Sequence, residues 1–384
     1  MPAPHTPDVD VDVLILGGGL AGLTLAMQLR LQQPDRSVTV LERKPHPVRE
    51  AAHKVGESTV EIGAHYFAEV LGLREHLETR QVRKYGLRYF FCDREHDVGA
   101  CNEMGVSRLL PTPSWQLDRG RFENHLGERA VALGADFRHG AVVRGIELSE
   151  DGGAHAVTFE HDGASHTLRA RWVVDAAGRA GLVKRKLGLA ETNDHDVNAV
   201  WWRVDGHIDL DAWQSDGNWP TRFLPAERWK STNHMCGPGY WFWLIPLASD
   251  SHSLGIVCDA KMHPLETMKT HALAMDWVRR HQPRAAQALE RPEHRLQDFL
   301  FLRHFSHGCR QVYSGHRWAL TGEAGVFLDP FYSPGSDFIA ISNTYITELI
   351  RLDFAGEPVG PYADIFQQLY FSFYENTLTL YQDQ

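Results

Sequence analysis

The chain opens on a pattern that few backbone arrangements can satisfy. Val11 to Leu16 is a short aliphatic, β-branched run, the composition of a strand buried on both faces. Gly17-Gly18-Gly19-Leu20-Ala21-Gly22 follows at once, then Leu23 to Leu31 in helical rhythm, then Ser37 to Leu41, a second strand ending in Glu42. Strand, glycine turn, helix, strand and acid is the order of a dinucleotide-binding βαβ unit. Gly17 permits the tight turn, Gly19 lets the backbone approach a pyrophosphate, and Gly22 lets helix and strand close up. The helix start at Leu20 and Ala21 offers backbone donors and the positive end of the helix dipole. Glu42, twenty residues after Gly22, is placed to accept both ribose hydroxyls of an adenosine, with Arg43 beside it. An acid repels a 2′-phosphate, so NADP is disfavoured, but the motif alone does not separate FAD from NAD. The alternative is a glycine-rich structural turn.

Charge and cysteine usage narrow the class. The 384 residues include 39 basic and 49 acidic ones, a net charge of −10, which argues against a non-specific nucleic-acid binder. Hydrophobic residues at 43% and charged residues at 23% suit a folded globular chain, of roughly two domains at about 150 residues each. Cys92, Cys101, Cys236, Cys258 and Cys309 are scattered and odd in number, with no disulfide framework or metal pattern, so a reduced, cytoplasmic compartment is expected. The early apolar run follows acids rather than a basic region, which excludes a signal peptide, and no stretch of about 18 uncharged apolar residues predicts a membrane span. His304 and His307 would point to opposite faces of a strand, so no metal site is expected. No nucleophile elbow is present.

Three later segments bear on the cofactor. Gln116-Leu117-Asp118-Arg119-Gly120-Arg121-Phe122 leads into a helix from Phe122 to Ala132, with Asp118 as its expected N-cap. Arg171 to Arg179 reads as a strand entering a small-residue turn. His316 to Gly325 is another strand, ending in Gly322-Glu323-Ala324 before Asp329-Pro330. Over most of the chain this set resembles the FAD-dependent enzymes of the p-hydroxybenzoate hydroxylase type. The resemblance implies that Gly322 and Glu323 hold the ribityl chain, and that the helix beginning near Gly335 and Ser336 points at the isoalloxazine. Arg119 is then a candidate for the pyrophosphate, or else a surface ion pair.

A narrower resemblance rests on four segments in order. Trp241-Phe242-Trp243-Leu244-Ile245-Pro246 is similar to the WxWxIP motif of flavin-dependent halogenases, and Lys54-Val55-Gly56-Glu57-Ser58-Thr59 to their GES segment. Lys84, in Val82-Arg83-Lys84-Tyr85-Gly86, falls where that family carries an essential lysine. Asp329-Pro330-Phe331-Tyr332-Ser333-Pro334-Gly335 resembles the loop before the flavin-facing helix.

Membership would imply that reduced FAD, dioxygen and chloride or bromide yield a hypohalous acid. That acid then travels to an electron-rich aromatic ring, free or tethered to a carrier protein. Lys84 is the expected carrier of the electrophile, since a flexible primary amine suits the task. With Arg83 and Arg88 nearby, it also reads as part of a solvated charge run, and Lys54 competes for the role. His53 is read as a loop histidine. Trp241 and Trp243 share one strand face and would wall flavin from substrate, or simply fill a sheet core. Pro246 would end the strand or sit on an edge. Glu57 would orient the flavin loop or the lysine, or be an ordinary salt-bridged acid.

Departures from the family are concentrated near the halide. Relatives cradle the anion on successive N–H groups after the serine equivalent to Ser333, but here Pro334 has none. Gly335 and Ser336 are left as a possible anion nest, or the loop binds no halide. Tyr332 stands where tryptophan halogenases carry a steering glutamate, which favours phenol or pyrrole substrates. Glu323 replaces the usual aspartate. The competing readings are an aromatic monooxygenase and a flavin-binding protein without turnover. No second glycine fingerprint for a nicotinamide cofactor is present, so a separate flavin reductase is expected as partner.

The expected fold is α/β. A discontinuous Rossmann-like FAD domain spans 1–90, 107–190 and 306–350. A substrate domain on a mixed or antiparallel sheet spans 191–305, with strands Asn198 to Val204, Tyr240 to Leu247 and Ser253 to Val257 and a helix from Thr267 to Arg280. A helical segment, 351–384, closes the chain. Relatives often run longer, so a compact member or a trimmed chain is expected.

Overall fold

The computed structural model describes residues 9–50, 54, 56–92, 98–214, 217–223 and 227–381. His53 and Val55 lie outside them.

Two seven-stranded sheets organise the described residues. In the first, Val11–Leu16 runs parallel between Val38–Glu42 and the second half of Ala164–Asp175. Asp136–His139 and Trp318–Leu320 extend this parallel set. The first half of Ala164–Asp175 turns instead to an antiparallel hairpin with His155–His161. The parallel centre is covered by the Leu20–Gln32 helix and by Gly335–Phe354 and Val359–Thr379. Val11–Leu16, at the centre of this set, is buried almost throughout and correspondingly apolar.

The second sheet runs in the order Leu296–Leu302, Val197–Asp205, Ser251–Asp259, Tyr240–Leu247, Thr232–Gly237, Leu87–Phe91, Asn102–Gly105. All its pairs are antiparallel except Thr232–Gly237 with Leu87–Phe91. Alternate side chains separate into two cores. Trp202, Phe242, Leu244 and Ile256 face the His271–His281 and Pro283–Leu289 helices. Trp201, Trp241, Trp243 and Val257 face the other way, toward Phe327 and Phe331.

Several expectations are corrected by this arrangement. Leu87–Phe91, expected in the first unit, pairs instead into the second sheet. Gly335–Phe354 is one unbroken helix that runs across the boundary drawn at 350. The helix expected from Thr267 begins at His271, with the Thr270 hydroxyl capping it. Pro246 does not end its strand, which continues to Leu247. The ladder to Thr232–Gly237 stops at Leu244, so the missing proline N–H falls where no partner needs it. Cys92 and Cys101 form a disulfide, against the expectation of none, while Cys236, Cys258 and Cys309 are free and buried. Among the described residues no helix is long and apolar enough to cross a membrane.

Candidate active site and cofactor cradle

The glycine turn is built as its spacing requires. Gly17 has φ +116° and packs on the backbone of Ala176, where a Cβ would meet the carbonyl oxygen at 2.3 Å. A Cβ on Gly22 would lie 1.9 Å from the Gly17 carbonyl oxygen, so only glycine lets this helix start so close to its strand. Gly19, by contrast, faces open space, leaving the backbone approachable. Leu20 and Ala21 form the first helical turn. The Glu42 carboxylate accepts from the Gly18 N–H at 2.7 Å and the Lys44 N–H at 2.8 Å, which fixes the acid at the turn. Arg43 is exposed beside it.

A second group of residues meets this turn. Gly322 has φ +60°, and a Cβ there would press on Ala21 at 3.0 Å. Burial raises the Glu323 carboxyl above the usual range, while Arg179 and Arg119 pull it down. Arg119 bonds the Glu123 carboxylate and the Gly56 carbonyl. Gly335, at the head of its helix, again faces open space. Open glycine backbones at a turn and at a helix head, with basic and acidic groups between them, suit an elongated dinucleotide. Gly17, Gly19, Leu20, Ala21, Gly22 and Glu42 would hold the adenosine and pyrophosphate end. Gly322, Glu323, Gly335 and Ser336 would hold the flavin end. Asp118, expected as an N-cap, makes no capping bond; its carboxylate faces Arg203 instead.

The two lysine candidates separate sharply. Lys54 pairs with Glu123 and stays with the Arg119 group. Burial and the Arg119 and Lys44 charges bring it down to about 7. Lys84 is 3% exposed, so it is no member of a solvated charge run. Its Nζ donates to Ser58 Oγ at 2.8 Å and to the Thr59 carbonyl at 2.7 Å. Ser58 Oγ also meets Ser333 Oγ at 3.1 Å and Thr232 Oγ1 at 2.8 Å. Ser333 itself is buried in a left-handed turn, φ +58°. Burial brings the Lys84 amine down to about 7, opposed by the charges of Glu61 and Asp337.

Glu57 does not touch this amine. It pairs with Arg203 at 2.7 Å, both groups buried, so it ties segment 56–59 to the second sheet rather than orienting the lysine. Trp241 and Trp243 lie 5.5 Å apart on the inner face of that sheet. Trp241 packs on Phe331 at 5.2 Å and on His234 at 5.1 Å. Trp243 donates to Ser253 Oγ and lies over Gly255. Tyr89 stacks on His234 and touches Phe331, and its hydroxyl is buried with no hydrogen-bond partner. This aromatic wall closes against loop 329–334, next to the Lys84–Ser58–Ser333 chain.

Sequence reasoning did not assign Ser58, Tyr89, His234, Arg203 or Asp337. Ser58 was within reach, since it lies inside the GES segment. The others carry no local signal.

Fold and cradle together define a dinucleotide-binding flavoprotein. The chain belongs to the family described as FAD binding domain, whose model matches residues 10–280. It is 26% identical over 368 residues to the flavin-dependent halogenase chlA of Dictyostelium discoideum, covering 88% of this chain and 60% of that protein. It is also 26% identical to the 1H-pyrrole-2-carbonyl-[peptidyl-carrier protein] brominase of Pseudoalteromonas luteoviolacea (strain 2ta16), covering 85% of this chain and 74% of that one. Thus the chain spans about three fifths to three quarters of these curated relatives. The myxobacterial chondrochloren halogenase CndH shares the fold with a TM-score of 0.79 at 22% identity, covering 96% of this chain and 81% of that one. A flavoprotein/dehydrogenase from Cytophaga hutchinsonii does so with a TM-score of 0.78 at 19% identity, covering 97% and 86%.

Proposed function

We propose that the chain is an FAD-dependent halogenase of electron-rich aromatics, phenols or pyrroles, free or tethered to a carrier protein. The observation that carries this reading is the buried Lys84 amine, linked through Ser58 to Ser333 on the loop before the flavin-facing helix. Bound reduced FAD would supply, with dioxygen and halide, the hypohalous acid. An amine near its midpoint at neutral pH has two uses. As ammonium it donates a hydrogen bond to the hypohalous oxygen. As free amine it takes the halogen, releasing water, and passes it to the ring, which loses a proton. Trp241, Phe331 and Tyr89 exclude water along the way, and the free Tyr89 hydroxyl is available to a polar group of the substrate.

Halide binding would fall to the head of the Gly335–Phe354 helix. Pro334 is its N-cap and offers no N–H, but the Ser336 hydroxyl is buried without a partner there. Relatives named as pyrrolyl-carrier halogenases support a tethered substrate. A separate flavin reductase completes the proposal; the Cys92–Cys101 disulfide removes the cysteine argument for a cytoplasmic setting.

The test supplies FAD, a flavin reductase, bromide or chloride, and a panel of phenols and pyrroles. Expected is a mass gain of halogen minus hydrogen, with Lys84→Ala losing at least about a hundredfold in rate. A gain of oxygen instead would establish the monooxygenase reading, which the missing Pro334 N–H favours. A Lys84→Ala enzyme as fast as the parent would remove the lysine from the mechanism.

A further inference from the structure

Both acceptors of Lys84 lie on one short segment, 58–63, and that segment is held from its far side. The Glu61–His65 helix has Val60 at its N-cap, a residue with no capping side chain. Asp337 substitutes for the cap from another helix: its Oδ1 accepts from the Gly63 N–H at 2.7 Å. The two helices touch directly there, since a Cβ on Gly63 would lie 2.3 Å from Ser336 Oγ and 3.0 Å from the Ser336 carbonyl carbon. Four residues before Asp337, Ser333 bonds Ser58. The turn and first helical residues at 333–337 therefore grip segment 58–63 at both ends, and Lys84 reads its two acceptors off the gripped segment.

We propose that Asp337 is a positioning residue for Lys84, fixing its acceptors through Gly63 and supplying a buried counter-charge to the amine. The inference rests on the role given to Lys84 above. Among the described residues three titratable groups face the amine: Glu61 on the short helix, Asp337 on the long one, and His234 on the sheet. Glu61 is exposed at its helix start, where water and salt screen it. His234 is pushed down to about 3 by burial and stays neutral. Asp337 is buried, so its charge is the least screened of the two acids. Burial, helped by the Glu61 charge, lifts its own carboxyl to about 7 against the pull of the Gly63 N–H bond and of Lys84. Acid and amine thus change charge over the same pH range, and each charged form favours the other.

The test follows the 13Cε resonance of Lys84 against pH in the FAD-loaded chain labelled at lysine, assigned by its loss in Lys84→Met. The parent midpoint should lie near neutrality. Asp337→Asn keeps an acceptor for the Gly63 N–H and removes only the charge, so it should lower the midpoint by at least about half a pH unit. Glu61→Gln should lower it less. Should Asp337→Asn fail to hold flavin, Asp337→Ser keeps an acceptor and takes its place. A parent midpoint near 10.5, a midpoint unmoved in the Asp337 variant, or a larger shift in Glu61→Gln overturns the proposal. A midpoint that falls as stated in an enzyme unable to halogenate sinks the halogenase reading alone.

Discussion

Lys84 is the residue on which chemistry and stability pull in opposite directions. A lysine taken out of water favours the neutral amine, and burial brings Lys84 from 10.5 down to about 7. The linkage sign follows. Between about 7 and 10.5 the unfolded chain holds a proton that the folded chain has released, so this group makes stability rise with pH across that window. Below it, the folded chain bears the full cost of a buried ammonium. Lys84→Met removes the effect. The stability of the parent relative to Lys84→Met should therefore increase between pH 7 and 10, by up to about 1.4 kcal/mol per unit, in urea titrations at each pH. A gap that stays flat would show that the amine is hydrated. The motif context pointed to Lys84, and its deeper burial favours it over Lys54. Asp337 carried no signal, because an acid in the first turn of a helix is ordinary complement to the helix dipole.

At the scale of elements, the best-read pieces are those whose pattern is entirely local. Val11–Leu16 and Tyr240–Leu247 have the expected ends, since a β-branched run closed by Gly17 and an unbroken aromatic and aliphatic run after Gly239 leave little choice. What the strand pattern did not show is the space that its aromatics need. The Trp243 ring lies across the neighbouring strand at Gly255, where a Cβ would come within 2.1 Å of the indole. Gly255→Ala is expected to cost about 1–3 kcal/mol through overpacking, read as a lower midpoint in thermal denaturation. Gly255→Ala combined with Trp243→Phe, which frees that volume, should recover part of the loss. Gly255 has no turn to explain it, so its glycine is intelligible only with Trp243 opposite.

Across the whole molecule, the second sheet is tied to the segments beside the cradle by buried charge as well as by apolar contact. Arg203, on the second sheet, reaches Glu57 at 2.7 Å, Asp118 at 3.5 Å and the Glu50 carbonyl at 2.8 Å. Both acids belong to segments that approach the cofactor cradle. Burial already lifts the Glu57 carboxyl above its usual range against the pull of Arg203. Arg203→Met strands two buried carboxyls and should cost about 3–5 kcal/mol, measured by denaturant unfolding. Adding Glu57→Gln and Asp118→Asn should restore much of it, because neutral partners leave no charge stranded.

The chain by itself specifies the glycine turn, the acid after the second strand and the aromatic strand, because each is written in a short contiguous stretch of sequence. Which amine sits in the dark interior was settled elsewhere. Ser58 and Ser333 stand 275 positions apart, and Asp337 meets Gly63 over a similar span. Dielectric and counter-charge arise from what the folded chain brings alongside a group, and no periodicity along the polymer records that.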